Sequence, residues 1–173
     1  MIDEWIRKNS KKKYDKDGLI AKSGKIDRLI LNQALQNFEE NSNYEKSLDI
    51  KDYDIFFAKG LSLEDGAATI SNFTAMLIAN GMKYDHGVGQ STVNKWLVCG
   101  GGRKNKYLLE NIKNSFEKIN IKPIDKYEIN GDFVESQAFG YLAIRSFLKL
   151  PISFPSTTGC REPSTGGVLV ENC

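Results

Sequence analysis

The apolar positions of this chain change period along its length, and each change marks an element. Ile2, Trp5 and Ile6 recur at helical spacing over Ile2 to Lys8, and the polar run Asn9 to Gly18, with three adjacent lysines at Lys11, Lys12 and Lys13, ends that helix as a solvated loop. Ile26, Leu29, Ile30, Ala34, Leu35 and Phe38 then predict an amphipathic helix over Lys25 to Phe38. A polar connection from Asn41 to Lys59 carries Tyr53, Phe56 and Phe57 without marking any chemistry. Ser62 with Asp65 three residues on resembles a capping box, and Ala67, Ala68, Ile70, Phe73, Thr74, Leu77 and Ile78 continue it as a helix that should stop at Asn80-Gly81. Met82 to Thr92 reads as a loop, and its lone His86, with no acid or cysteine beside it, as an exposed polar residue.

The pattern then changes. A short apolar strand, Trp96 to Val98, runs into Cys99 and three consecutive glycines, Gly100, Gly101 and Gly102; Asn105 stands as the N-cap of a helix over Lys106 to Ser115. Strand, glycine corner and helix start form a shape that suits an anion, because glycine lets the backbone approach a ligand and the helix offers free N–H groups and a positive dipole end. A corner that needs small residues only for packing would look the same. Ile119 to Lys122 alternates as a half-buried strand, Asn130-Gly131-Asp132 is a turn, and Asp132 onward opens a helix with Val134, Ala138, Phe139, Leu142, Ala143 and Phe147 as its core face. Glu135 is there either a capping-box residue returning to the backbone of Asp132 or an acceptor for a ligand at the helix start. Prolines and glycines from Leu150 to Cys173 predict irregular coil.

From Lys95 onward the order is strand, helix, strand, helix, an α/β arrangement. Two strands cannot cover the apolar faces of four or five helices, so the chain reads as one partial domain over 1–173: a helical lead-in over 1–61, an α/β core over 62–149 and an irregular tail over 150–173.

Composition narrows the partners. At 173 residues, 40% hydrophobic and 27% charged, the chain is an ordinary globular one, and 24 Lys+Arg against 22 Asp+Glu leaves +2, no argument for nucleic acid or a membrane surface. Three widely spaced cysteines, Cys99, Cys160 and Cys173, and one histidine do not make a zinc site or a disulfide framework, and read as reduced thiols. No apolar run approaches the ~20 residues of a bilayer span. The acidic start, Met1-Ile2-Asp3-Glu4-Trp5, does not resemble a secretion signal, so a cytoplasmic protein is expected.

Several stretches together carry a family resemblance. Cys99 to Asn105, Val134-Glu135-Ser136-Gln137-Ala138-Phe139 through Arg145, and Leu150-Pro151-Ile152-Ser153-Phe154-Pro155 through Gly159 resemble the C-terminal half of anhydro-N-acetylmuramic acid kinases. So do Ile2 to Trp5, Tyr14 to Gly18, Ala21 to Gly24, Lys46 to Asp49 and Asp65 to Thr69. The resemblance implies an incomplete ribonuclease-H-like domain of the actin-like ATPase superfamily. It implies an ATP- and Mg²⁺-dependent sugar kinase that opens the 1,6-anhydro bridge and phosphorylates the 6-oxygen in peptidoglycan recycling. It places Gly100, Gly101, Gly102 and Asn105 at the adenosine/phosphate turn and Glu135 near the sugar; Arg103 and Lys104 could meet nucleotide charge but read as solvent residues.

The family's Asp-Gly-Thr-Ser hairpin and its Asp-Thr-Gly-Pro-Gly-Asn segment, which holds the catalytic base, are missing from this sequence, and Asp3 does not fall on the base. The expectation is therefore a chain without a catalytic residue of its own, completed by a separate N-terminal half. The alternatives are a non-catalytic remnant, a nucleotide- or sugar-binding or merely structural module that pairs its sheet edge with a second copy, and an unrelated nucleotide-binding domain, which the absence of Gly-x-Gly-x-x-Gly disfavours.

Overall fold

The computed structural model describes residues 1–41, 53–84 and 95–170. Lys46 to Asp49 and His86 lie outside the described residues.

One long helix organises the rest. Helix α4 (Leu63–Tyr84) is apolar on most of its circumference, and α1 (Ile2–Asn9), α2 (Leu19–Ser23), α3 (Arg28–Asn41) and α5 (Lys106–Asn114) all pack on it. A helix apolar all round must be enclosed on several sides, and α4 accordingly contributes to three clusters. Ala67 and Ile70 meet Trp5, Ile6, Ala21, Ile55 and Ala58; Phe73 and Leu77 meet Leu31, Ala34 and Leu35; Ala75 meets Leu108, Ile112 and Ile121. The start of α4 is tied down by its cap, where the Asp65 N–H donates to Ser62 Oγ at 3.0 Å. The Asp65 carboxylate, however, accepts from the Lys25 backbone N–H at 2.7 Å and so joins α2's end to α4. Hydrogen bonding to that N–H and to Ser62 holds its pKa below the ordinary value.

Two helical expectations shift. Gly81 does not stop α4: its φ is not positive, and the helix runs on to Tyr84, with Met82 packed against the third cluster. In α3 the buried stripe is Leu31, Ala34 and Leu35, with Phe38 partly buried, and Leu29 is exposed. Phe38 stacks on Tyr53 with centroids 5.7 Å apart, so the aromatic stretch after the polar connection closes the core.

Strand β1 (Lys95–Val98) pairs in parallel with β2 (Asn120–Pro123), with Trp96 opposite Ile121, and α5 forms the crossover between them. Trp96, Val98 and Ile121 face α5 and α4, while Leu97 is exposed on the other side. Both strands keep an outer edge without a partner strand among the described residues.

Helix α6 (Val134–Phe147) departs most from expectation. None of its residues is buried: Val134 and Leu142 are half-covered, and Ala138, Phe139, Ala143 and Phe147 are exposed. The tail is more ordered than coil. It holds the short helix α7 (Pro155–Thr158), ended by Gly159 at φ 67°, and a bridge between Ser153 and Ser164.

Candidate functional site

The glycine corner is built by its neighbours. Gly100 takes φ 73° and ψ −179°, a left-handed backbone that a side chain rarely adopts. Its N–H donates to the Gly131 carbonyl at 3.0 Å. Gly101 to Lys104 make one 3₁₀ turn, and Asn105 caps α5 by accepting from the Leu108 N–H at 2.9 Å. The predicted cap is thus formed. Gly18, at φ 74°, lies so close to Asn105 that a Cβ there would overlap the amide, which lets the segment from Tyr14 to Gly18 sit beside the corner.

These pieces enclose a cavity of about 480 Å³. Its wall includes Met1, Ile2 and Asp3 from the start of α1, then Tyr14, Asp15 and Asp17, Thr74 of α4, and Gly101, Gly102, Lys104, Asn105 and Leu108. A Cβ at Gly101 would meet nothing within 4 Å, and one at Gly102 only Leu108 at 3.9 Å. The glycines therefore border open space. The first N–H groups of a helical turn have no intrahelical acceptor, and those of Gly101 and Gly102, two residues of the wall, have no backbone acceptor among the described residues.

Arg103, Lys104 and Asp15 beside the corner are already engaged. Arg103 is buried: its Nε and Nη2 donate to Asp125 at 2.7 and 3.0 Å, and its Nη1 donates to Asp132 at 2.7 Å and to the Gly100 carbonyl at 2.9 Å. Lys104 Nζ reaches the other oxygen of Asp132 at 2.7 Å. The expectation of two solvent residues is thus corrected for Arg103, which joins the corner to the segment from Asp125 to Asp132. Gly131 is required there, because a Cβ would overlap the guanidinium. Asp15 is buried too, and its carboxylate accepts from the N–H groups of Ile20 and Ala21 at 2.8 and 3.0 Å, starting α2. An anion in this cavity would be held by backbone N–H groups and the α5 dipole rather than by a free basic side chain.

Of the candidate residues, Gly101, Gly102 and Asn105 share the cavity wall, Gly100 shapes the turn behind it, and Glu135 lies outside that wall. The predicted capping box at α6 does not form. Phe133 is the N-cap without a side-chain bond, and the Asp132 N–H donates to Asn130 Oδ1 at 3.0 Å. Asp132 is drawn instead to Arg103 and Lys104, and Glu135 is exposed, with no side-chain hydrogen bond among the described residues. No local pattern in the sequence marks the Arg103 cluster, since its carboxylates lie 22 and 29 residues beyond the arginine.

The cluster sets a pH dependence. Bonding to Arg103 holds the Asp125 carboxyl far below its ordinary 3.8, and Arg103 and Lys104 hold Asp132 at about 2. Both pKa values fall on folding, so their contribution to stability is complete above pH ~4 and is lost as the pH drops toward ~2. The melting temperature should decline across that window, and Asp132→Asn should flatten the decline. An unchanged slope in Asp132→Asn would show that this cluster does not set it.

A family model for anhydro-N-acetylmuramic acid kinase matches residues 1–172. The chain is 49% identical over 99% of its length to an anhydro-N-acetylmuramic acid kinase of Pelagibacter ubique, covering 46% of that protein. It is 39% identical to the kinase of Rhizorhabdus wittichii and 36% identical to that of Zymomonas mobilis, over 97% and 96% of this chain and 45% and 44% of theirs. The chain thus spans somewhat less than half the length of these curated relatives. From the cavity at its glycine corner to a match along nearly every residue, the chain belongs to the anhydro-N-acetylmuramic acid kinase family.

Proposed function

We propose that this chain is the ATP-holding C-terminal half of a kinase that opens the anhydro bridge of anhydro-N-acetylmuramic acid and phosphorylates its 6-oxygen. The observation that carries the reading is the open space over Gly101 and Gly102, whose N–H groups have no backbone acceptor among the described residues, beside the capped start of α5. In this reading Gly100, Gly101, Gly102 and Asn105 receive the nucleotide, and the β1–α5–β2 unit is part of a ribonuclease-H-like sheet.

ATP would supply the phosphoryl group, and Mg²⁺ would neutralise its charge. The chain's own part is to seat and orient the nucleotide against the corner. Glu135, exposed at the start of α6, is the sugar-side acceptor. The proton acceptor for the attacking water belongs to the portion of the relatives that this chain does not span, so turnover requires that portion.

A substitution at Gly101 tests the seat directly. Its backbone does not need glycine and its Cβ has room, so Gly101→Val should leave the melting temperature nearly unchanged while filling the ligand's space. Titration calorimetry should show Mg-ATP binding to the chain and at least a ~10-fold loss in Gly101→Val, the equivalent of one good contact removed. Equal affinity in both proteins, or no binding to either, would overturn the assignment.

A further inference from the structure

Helix α6 has fourteen residues and no buried one. Phe139, Ile144 and Phe147 are 65%, 61% and 68% exposed, and Val168, Leu169 and Val170 of the tail are exposed as well. None of the three core clusters contains a residue of α6. Its side-chain hydrogen bonds among the described residues stay within the helix, from Arg145 to Tyr141, or run to its own flanks, from Ser136 to the Phe133 carbonyl, from Arg145 to the Pro151 carbonyl and from Ser146 to that of Gly166. Helices of this length are marginal in water without a packed face, and Gly140 in the middle weakens this one further. A run of exposed aromatic and branched side chains on such a helix marks a surface made to be covered.

Two observations identify the cover. The relatives carry more than half of their length beyond what this chain spans. In addition, α6 leaves directly from the segment that Arg103 ties to the glycine corner, so whatever sits on α6 is joined to the corner through that segment. A second copy would bring a second glycine corner to that place and no new chemistry. We infer that the exposed face of α6, centred on Phe139, Ile144 and Phe147, is the seat of the polypeptide portion that the relatives possess and this chain does not span. The inference rests on the two-part reading above and assigns its docking surface.

The test co-expresses the chain with the portion of the Pelagibacter ubique kinase that it does not match, and measures association by copurification and sedimentation. Association is expected, with a ~100-fold or greater weakening in Ile144→Asp and Phe147→Asp, as for residues at the centre of an interface. Their melting temperatures should stay unchanged, because neither residue belongs to a core cluster. Leu29→Asp, exposed on α3, should associate normally.

Undiminished association in the α6 variants would overturn this surface while leaving the two-part kinase standing. A homodimer of the wild-type chain that the same variants dissociate would make a second copy the occupant and overturn the inference. If the pair does not associate, hydrogen exchange in a single polypeptide joining the two portions decides. Protected α6 amides support the inference, and unprotected ones overturn it whether or not the chain binds Mg-ATP.

Discussion

Gly66→Ala destabilises the chain by about 2–3 kcal/mol, the cost of forcing added volume into a packed site, even though alanine is the better helix former by about 1 kcal/mol. Gly66 lies in the first turn of α4, and a Cβ there would overlap the Trp5 indole. Trp5 has no room to give way. It is 5% exposed, sits in the cluster with Ile6, Ala21 and Ile70, and donates its Nε1–H to the Leu63 carbonyl at 2.9 Å. Expelling the indole instead would cost about 3–5 kcal/mol, so a shift of α1 along α4 is the cheaper response. For a chain of this size the melting temperature should fall by roughly 5–10 °C. A double-mutant cycle isolates the cause. In a Trp5→Leu background the overlap disappears, and Gly66→Ala should be neutral or stabilising. If the two effects simply add, close packing against Trp5 is not why glycine stands there.

Local signals proved the most legible. The Asn105 cap, the start of α4 at Ser62 and the strand before the glycines each depend on residues within four positions of one another, and each forms as expected. Signals that depend on context failed in identifiable ways. Asn80-Gly81 resembles a helix stop, but glycine also continues a helix at modest cost when the next turn, here Met82, has a cluster to pack against. Leu29 and Ile78 fit a helical period and are exposed nonetheless, because period alone does not say how wide the buried stripe is. The core face assigned to α6 is apolar as read, yet among the described residues nothing buries it. For the candidate site, the corner was visible because its glycines and cap are contiguous. Tyr14 and Asp17 reach the same cavity through a left-handed pair, Asp17 and Gly18, whose destination no local pattern discloses. Arg103 was read as a solvent residue because its carboxylate partners follow a strand and a turn that only folding brings back to the corner.

That cluster supports the second large effect, in Arg103→Lys. Charge is conserved in this substitution and geometry is not. The guanidinium grips Asp125 with two nitrogens while a third donates to Asp132 and to the Gly100 carbonyl; a lysine ammonium on a flexible stem cannot reproduce that fork. Asp125 also accepts from the Gly131 N–H at 3.3 Å, and the Gly131 carbonyl receives the Gly100 N–H, so loosening one side chain releases the corner from both directions. Amide exchange at Gly100 and Asn105, whose N–H groups are bonded within this arrangement, should accelerate at least ~10-fold, as expected when a hydrogen bond to a charged group is lost. Affinity for Mg-ATP should fall by a similar factor, because a seat made of backbone N–H groups is only as well placed as the turn that carries them. Asp125→Asn, which keeps one acceptor oxygen, should cost less than Arg103→Lys. Faster exchange at the corner with unaltered nucleotide affinity would place the nucleotide elsewhere on the chain. Unaltered exchange would mean that the corner keeps its shape without the arginine.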